Sequence, residues 1–448
     1  MRFSCHSIVV QDYPAKGEHV VFSTRTQAMA KIEEGLKNLI DHFDEASQSE
    51  KDRYRQEIEA LHRLTLIVRD EEEDRRLLKE FLNNLKYAAD DRMLPITVLT
   101  TYACNFKCTY CFEESSRSNV KMSRETADAT IAWLKEKVLT HRYKKLHLTF
   151  YGGEPLLNKP ILEYLAVTMK TWCEARGIAF QFLLQTNGFL MTEEVVDRYL
   201  KIGLTHVRIS VDGVEDSHNR TRPLRGGGPT FQRVLENIVA NCRKVPIGIS
   251  TSYDRGEIGH IEEMLNYFDR LGILPHLDRF VFSPVHPTLG PKGEPEKIVG
   301  ASCMCNYEDD KLVEANSRIR TLMAKKGLPM KSGMSVSICP VTRDKAGLTV
   351  DQEGRLFKCN SMLGHPELST GNVREHTYNR KHEEFVNLDI WKQCPIDCTY
   401  MPMCSGGCRL SSFLKNQNFN TPTCHKPYLN KMAKSFIKEN YQKAVAKA

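Results

Sequence analysis

The sequence predicts an α/β protein: repeated βα units forming a partial (β/α)6 barrel over residues 93–290, set between a small α+β unit at 1–92 and a loop-rich, cysteine-bearing module at 336–448. Residues 291–335 read as a linker or bridging region. Three observations carry this. From about 95 to 290, short apolar strands alternate with amphipathic helices, the texture of βα units around a parallel sheet. At about 150 residues per domain, a chain of 448 residues has room for roughly three units. Beyond about 290 the periodicity weakens, Gly290, Pro291, Gly293 and Pro295 crowd together, and most remaining cysteines appear, as in a module held by metal rather than by a large core.

The first unit reads as follows. Ser7 to Val10 and Val20 to Ser23 flank a turn from Asp12 to Gly17 that contains Pro14, as a hairpin does. Met29, Ile32, Leu36, Leu39, Ile40 and Phe43 recur at helical spacing and predict a helix, and Tyr54, Ile58 and Leu61 continue a second face. Leu66 to Val68 reads as the third strand, followed by a helix carrying Leu77, Leu78, Phe81, Leu82 and Leu85. Three strands with three helices make a compact winged-helix-like unit. The acidic run Asp70 to Asp74 reads as the solvated first turn of the last helix, where carboxylates oppose the dipole.

Six strands are expected in the barrel: Ile96 to Thr100, Leu146 to Tyr151, Phe180 to Gln185, Val207 to Val211, Ile247 to Ser252 and Phe280 to Ser283. Each precedes a polar or glycine-containing turn: the Cys104 loop, Gly152 to Pro155, Thr186 to Gly188, Asp212-Gly213, Asp254 to Gly256, and Pro284. In α/β barrels chemistry sits at the carboxyl ends of the strands, and these loops hold the unusual residues. A basic helix from about Tyr428 to Lys447 closes the chain, and no repeat or low-complexity tract is present.

Composition excludes several classes. An apolar fraction of 41% with 27% charged residues argues against wholesale disorder. No stretch reaches the ~18 apolar residues a bilayer span needs, and the apolar run from Ser7 to Val10 is broken at once by Gln11 and Asp12. The protein is therefore expected in the cytoplasm, without a membrane partner. A net charge of +7 is too diffuse at this length to imply a nucleic-acid groove. Fifteen cysteines are the informative number: in a reducing compartment, clustered cysteines mean metal or redox chemistry more often than disulfides.

Cys104, Cys108 and Cys111 have the spacing C-x3-C-x2-C in the loop after the first barrel strand. A structural zinc site or a closed iron–sulfur cluster wants four protein ligands, whereas three leave one metal position open to substrate or cofactor. The alternative is a zinc knuckle with a distant fourth ligand. The spacing in this context resembles the radical S-adenosylmethionine (SAM) superfamily. The resemblance implies a [4Fe-4S] cluster on these three cysteines, its fourth iron chelating the amino and carboxylate groups of SAM. It also implies reductive cleavage of SAM to a 5′-deoxyadenosyl radical that abstracts hydrogen from an unactivated carbon, inside a barrel that excludes solvent. Tyr110, just before the third cysteine, would pack near the adenine.

Further segments extend the resemblance. Gly152-Gly153-Glu154 matches the family's GGE motif: two residues without Cβ let the backbone approach the SAM amino group, and Glu154 would accept from it. Thr186-Asn187-Gly188 resembles the family's T-N-G segment, near the sugar and methionine part of SAM. Ser210 to Arg222 resembles the S-x-D-G…H-D-x-x-R stretch, with Asn219 where Asp is usual. Ser210 would then meet the SAM carboxylate, and Arg222 either that carboxylate or those of nearby loops. His218 reads as a satisfied surface histidine.

Downstream, Cys339, Cys359, Cys394, Cys398, Cys404, Cys408 and Cys424, with Gly354 before Cys359, resemble the SPASM extension. Three residues rather than two separate Cys394 from Cys398. The resemblance implies two auxiliary [4Fe-4S] clusters, one on Cys339, Cys359 and Cys408 and the other on Cys394, Cys398, Cys404 and Cys424. With the SAM cluster that makes three. The first auxiliary set is one ligand short; Cys303 or Cys305 supplies it, or the iron is open to a substrate thiolate. Two four-cysteine zinc sites are the alternative. Cys5, Cys173 and Cys242 read as buried small hydrophobes.

The first 92 residues resemble the element with which peptide-modifying radical SAM enzymes bind a precursor's leader by adding it as a strand. The expectation is a maturase of a ribosomally made peptide that installs a thioether or carbon–carbon cross-link, fed by a reducing donor such as flavodoxin or ferredoxin. A sulfatase-maturating enzyme forming formylglycine is the nearest rival, and a non-enzymatic iron–sulfur or zinc-binding interaction protein is the rival from another class.

Overall fold

The computed structural model describes residues 1–87, 92–114, 118–254, 258–285, 288–290, 295–296, 310–330, 332–336, 338–345 and 347–446. Cys303, Cys305, Arg255 and Gly256 lie outside them.

The N-terminal unit contains β1 (Arg2–Phe3), β2 (Ser7–Val10), β3 (Glu18–Ser23), β4 (Met29–Glu33) and β5 (Ile67–Val68). β2, β3 and β4 form an antiparallel sheet in that order, and β1 pairs separately with β5. The third strand is therefore Met29–Glu33, where a helix was expected, and Leu66 to Val68 belongs to the smaller sheet. The reason is a coincidence of spacing. Met29 packs with Val20 and Phe22 on one face of the sheet, while Ala30 and Ile32 pack with Val21 on the other, which is the alternation of a strand. The helix starts only at Glu34 and runs to Asp41, burying Leu36, Leu39 and Ile40. Helices Gln48–Arg53 and Arg55–Arg63 follow.

Helix Glu71–Tyr87 begins within the acidic run. Its first turn is not all solvated: Glu73 accepts from Arg69 and His62, and Asp74 accepts from Arg25, Ser4 and the Cys5 peptide, both carboxylates being buried.

The barrel supplies β6 (Met93–Leu99), β7 (Lys145–Tyr151), β8 (Ala179–Thr186), β9 (Leu204–Ser210), β10 (Ile247–Tyr253) and β11 (Leu277–Pro284), all parallel to their neighbours. All six expected strands are present. Helices cover the sheet, so that Trp133, Leu165, Met169, Phe182, Ile249 and Phe268 share one large core. The short strands β12 (Thr288–Leu289) and β13 (Pro295–Glu296) pair antiparallel beyond it.

Three more strands, β14 (Leu348–Val350), β15 (Arg355–Phe357) and β16 (Gly371–Asn372), extend the same sheet to nine, in the order β11-β10-β9-β8-β7-β6-β14-β15-β16. β14 runs parallel to β6, Leu348 opposite Ile96 and Val350 opposite Val98. The cysteine-bearing module is thus continuous with the barrel. The final helix spans Lys426–Val445. Its Met432, Phe436 and Ile437 form a common core with Val10, Val20 and Phe22, docking the N-terminal sheet on the module. Among the described residues no helix is long and apolar enough to cross a membrane.

Candidate functional site

Cys104, Cys108 and Cys111 lie in the loop after β6 and line one cavity of about 180 Å³ together with Tyr110, Gly152, Gly153, Asn187, Ser210 and Arg222. The loops after β6, β7, β8 and β9 therefore converge at the carboxyl end of the sheet, as barrel geometry requires. The cysteine loop is strapped by the segment that follows β9. Lys107 N donates to Pro223 O at 2.9 Å, Thr109 N to Thr221 O at 3.0 Å, and Arg225 N to Asn105 O at 2.8 Å. The Phe106 peptide points at Cys104 Sγ from 3.4 Å, and Asn187 Nδ2 stands 3.9 Å from the same sulfur. Three converging thiols with N–H groups aimed at sulfur are a donor set suited to an iron–sulfur cluster with one open iron.

Gly152 and Gly153 are needed for a reason the motif alone did not disclose. A Cβ on Gly153 would lie 2.2 Å from Ala103 O and 2.4 Å from Tyr102 O, and Gly152 has φ +142° with Thr101 O at 2.6 Å from its would-be Cβ. The glycines let the β7 loop close against the cysteine loop itself, and Gly153 N and Glu154 N donate to Thr101 O and Ala103 O.

Glu154 is fully buried, and both its carboxylate oxygens are engaged within the chain. They accept from the Thr186 hydroxyl at 2.8 and 2.9 Å, from Asn187 N at 2.8 Å and from Leu156 N at 3.1 Å. Burial raises its pKa while these donors oppose the rise. It ties the β7 and β8 loops together, so Asn187 is placed by Glu154.

Half-buried Tyr110 joins buried Arg222 and Asp212 in one network. Arg222 Nη1 donates to Tyr110 Oη at 2.6 Å, and the Tyr110 hydroxyl donates to Asp212. Asp212 Oδ1 also accepts from Ser252 N at 2.9 Å, anchoring it to β10. Burial works against the Arg222 charge, but Cys108, Tyr110 and Asp212 outweigh it and hold the guanidinium ionised. Tyr110 is thus oriented by hydrogen bonds as well as by packing. Asp212 is a site residue that the sequence reading placed in a strand-end turn and in the S-x-D-G stretch without giving it a role.

His218 is buried, not on the surface. Its Nδ1 accepts from Asp212 N at 3.3 Å, and burial followed by the nearby Arg222 lowers its pKa to about 3. Asn219 Oδ1 accepts from Thr230 N and Phe231 N at 2.8 and 2.9 Å, at the start of helix Phe231–Asn241. That is a duty Asn and Asp share, which explains why the departure is tolerated.

Of the downstream cysteines, Cys339, Cys359 and Cys408 pack against one apolar cluster, and Cys394 and Cys398 against another. The Cys339 thiol is pushed up to about 12 by burial and by the neighbouring Cys408 and Cys359. Cys394 is pushed up to about 11 by burial, Cys398 and Cys424, and Cys404 to about 11 by burial, with Cys394 and Cys424 adding to it. Thiols moved out of water resist ionisation until a cation joins them.

Cys173 and Cys242 are buried in the barrel core. Cys5 is not a simple hydrophobe: half-buried beside His6 and Asp74, its thiol is pushed up to about 12 by burial and by Asp74. The Asp74 carboxylate is already engaged by Arg25, Ser4 and the Cys5 peptide, so this group is an internal anchor of the N-terminal unit.

Residues 98–268 match the family model of the Radical SAM superfamily. Over 364 residues the chain is 23% identical to a cysteine-type anaerobic sulfatase-maturating enzyme of Clostridium novyi, covering 76% of this chain and 93% of that protein. It is 22% identical over 340 residues to an AdoMet-dependent heme synthase of Methanosarcina barkeri, covering 70% of this chain and 90% of the other. Among solved structures, anSMEcpe with bound AdoMet and Cp18Cys peptide superposes with TM-score 0.61 at 19% identity, covering 78% of this chain and 99% of that one. Streptococcus suis SuiB bound to its precursor peptide SuiA superposes with TM-score 0.54 at 12% identity, covering 94% of this chain and 98% of that one. At these identities the superpositions speak to the fold.

Proposed function

We infer that this chain, a radical SAM enzyme with its superfamily domain at residues 98–268, modifies a ribosomally made precursor peptide by installing a thioether or carbon–carbon cross-link. The observation that carries the reading is the N-terminal three-stranded sheet and its shared core with the cysteine-bearing module. A leader added as a strand to an edge of that sheet would be held at a fixed distance from the barrel mouth, leaving the core peptide to enter it. The likeness to SuiB extends over 94% of this chain, whereas that to anSMEcpe extends over 78%. That difference favours a fold with the additional N-terminal unit.

In this reading Cys104, Cys108 and Cys111 hold a [4Fe-4S] cluster, and Gly152, Gly153, Asn187, Ser210, Tyr110 and Arg222 receive SAM. When bound, the pair supplies a 5′-deoxyadenosyl radical that takes a hydrogen atom from an unactivated carbon. The chain's own contribution is orientation and exclusion of water. The strap at 221–225 fixes the cysteine loop, Glu154 sets Asn187, and Asp212 sets Tyr110 and Arg222. Cys339, Cys359 and Cys408, and separately Cys394, Cys398, Cys404 and Cys424, would hold auxiliary clusters that accept the second electron; flavodoxin or ferredoxin would supply the first.

Co-expression with a short reading frame encoded beside the gene, followed by mass spectrometry, tests the proposal. Loss of two hydrogens with an internal cross-link is the expected product. Formylglycine in a sulfatase-derived peptide would instead establish the second reading, which the relatives named for sulfatase maturation favour.

A further inference from the structure

The strangest charge in the molecule is Arg409. It follows Cys408 at the start of helix Arg409–Asn416 and is fully buried. Its donors all go to neutral backbone carbonyls. Nη1 reaches Phe419 O at 2.7 Å and Thr421 O at 3.0 Å, Nη2 reaches Gly406 O and Gly407 O, and Nε approaches Gly407 O at 3.4 Å. Among the described residues no carboxylate pairs with it. A buried cation without a counter-charge is costly, so an anionic group is expected beside it.

The surroundings identify that group. Arg409 directly follows Cys408 of one set, and its guanidinium binds Gly406 O and Gly407 O, two and three residues after Cys404 of the other. The carbonyls it binds belong to the two segments that carry ligands of both sets, Gly406-Gly407 between Cys404 and Cys408, and Phe419 to Thr421 before Cys424. Those segments are in tight contact: a Cβ on Gly407 would lie 2.4 Å from Thr423 O, and Gly407 N and Thr423 N donate to Cys404 O and Gly406 O.

We propose that Arg409 is a positioning residue shared by both auxiliary centres, its guanidinium serving as their common counter-charge while its hydrogen bonds fix the loops that present their cysteines. The inference rests on the reading that these cysteines hold iron–sulfur clusters. Thiolate-ligated clusters are net anionic, and a fixed cation in a low-dielectric site lowers the cost of adding an electron to each.

The test uses the full chain reconstituted anaerobically with iron and sulfide, with iron content and an EPR-monitored redox titration as readouts. In Arg409→Gln the one-electron reduction constants of both auxiliary centres are expected to fall at least tenfold, ~59 mV. The SAM-binding cluster, outside this contact, stays where it was. Arg409→Lys, which keeps the charge and loses the planar fork, should recover at least half of the shift. If Arg409→Gln holds iron at neither auxiliary set while Arg409→Lys holds it at both, the counter-charge role stands equally. Full iron with unmoved potentials, an effect on one centre alone, or equal failure of both variants overturns the proposal. Wild-type protein with a SAM-cleaving cluster but no auxiliary iron overturns the cluster reading of these cysteines and this inference with it, which is a different result from an unmoved variant.

Discussion

The barrel mouth and the C-terminal module both gather cysteines, yet they achieve this by opposite means. At the mouth, strands of seven or eight residues fix the loops, and the buried charges are matched within the chain: Asp212 by Tyr110 and Ser252 N, Glu154 by Thr186 and Asn187 N. In the module the strands are two or three residues long, burial raises the pKa of its thiols, and Arg409 has only carbonyl partners. Backbone register builds the first site in advance. The second has short strands and side-chain staples in place of a long backbone register.

The largest expected effect separates the two. Alanine at Cys104, Cys108 or Cys111 should reduce 5′-deoxyadenosine formation to background in an anaerobic assay read by chromatography. The thermal midpoint of the chain should move by no more than about 2 °C, because the loop is held by backbone bonds to 221–225 rather than by its thiols. Alanine at Cys339 or Cys394 should do the reverse. Cleavage of SAM without peptide is expected to stay within about tenfold of wild type, while peptide product disappears, iron content falls and the midpoint drops by more than about 4 °C. Stripping iron from the wild-type chain with a chelator should likewise expose the module to protease before the barrel. Equal protection of both regions would remove the contrast.

Much of this contrast was legible in the residues, and the misses have physical causes. β6 to β11 are buried strands in a sheet covered by helices, so they read as compact apolar runs with polar turns after them. β14 to β16 are too short for any periodicity, so nothing in the sequence announced that the module continues the barrel sheet. In β4, Met29 and Ile32 imitate a helical stripe because the first apolar residue on one face and the second on the other stand at i and i+3. The cysteine spacings pointed to a loop whose three cysteines line one cavity and to downstream cysteines that pack on two apolar clusters. The side chains around them were less legible: Asp212 reads as a turn residue, Glu154 as a ligand rather than a clamp, and Arg409 is not singled out at all. A cation directly after Cys-Ser-Gly-Gly-Cys was the available signal for the last.

His218 offers a smaller test on the barrel side. Its folded pKa of about 3 lies below the ordinary 6.5, so the stability it contributes is fully present above pH 6.5 and is lost as pH falls from there toward 3. Between pH 6.5 and 5 the loss amounts to about 2 kcal/mol for a fully buried ring. Melting curves of the cluster-free chain should therefore fall more steeply over that interval in wild type than in His218→Gln, which can still accept from Asp212 N. Parallel slopes would show that the ring does not remain neutral when folded.

The smallest effect concerns Asn219, the one departure from the resembling motif in the stretch from Ser210 to Arg222. Its carbonyl oxygen already takes two peptide N–H groups at the start of helix Phe231–Asn241, so Asn219→Asp keeps the hydrogen bonds and adds a negative charge at the positive end of the helix. A gain of about 0.5 kcal/mol follows, a rise of about 1–2 °C in melting temperature that high salt diminishes. SAM affinity should stay within about twofold, because the side chain faces the helix start rather than the cavity lined by Ser210 and Arg222. A larger change in SAM binding would mean that charge at 219 reaches Arg222 through the carbonyl it shares with Thr230, making this position part of the cradle instead of its scaffold.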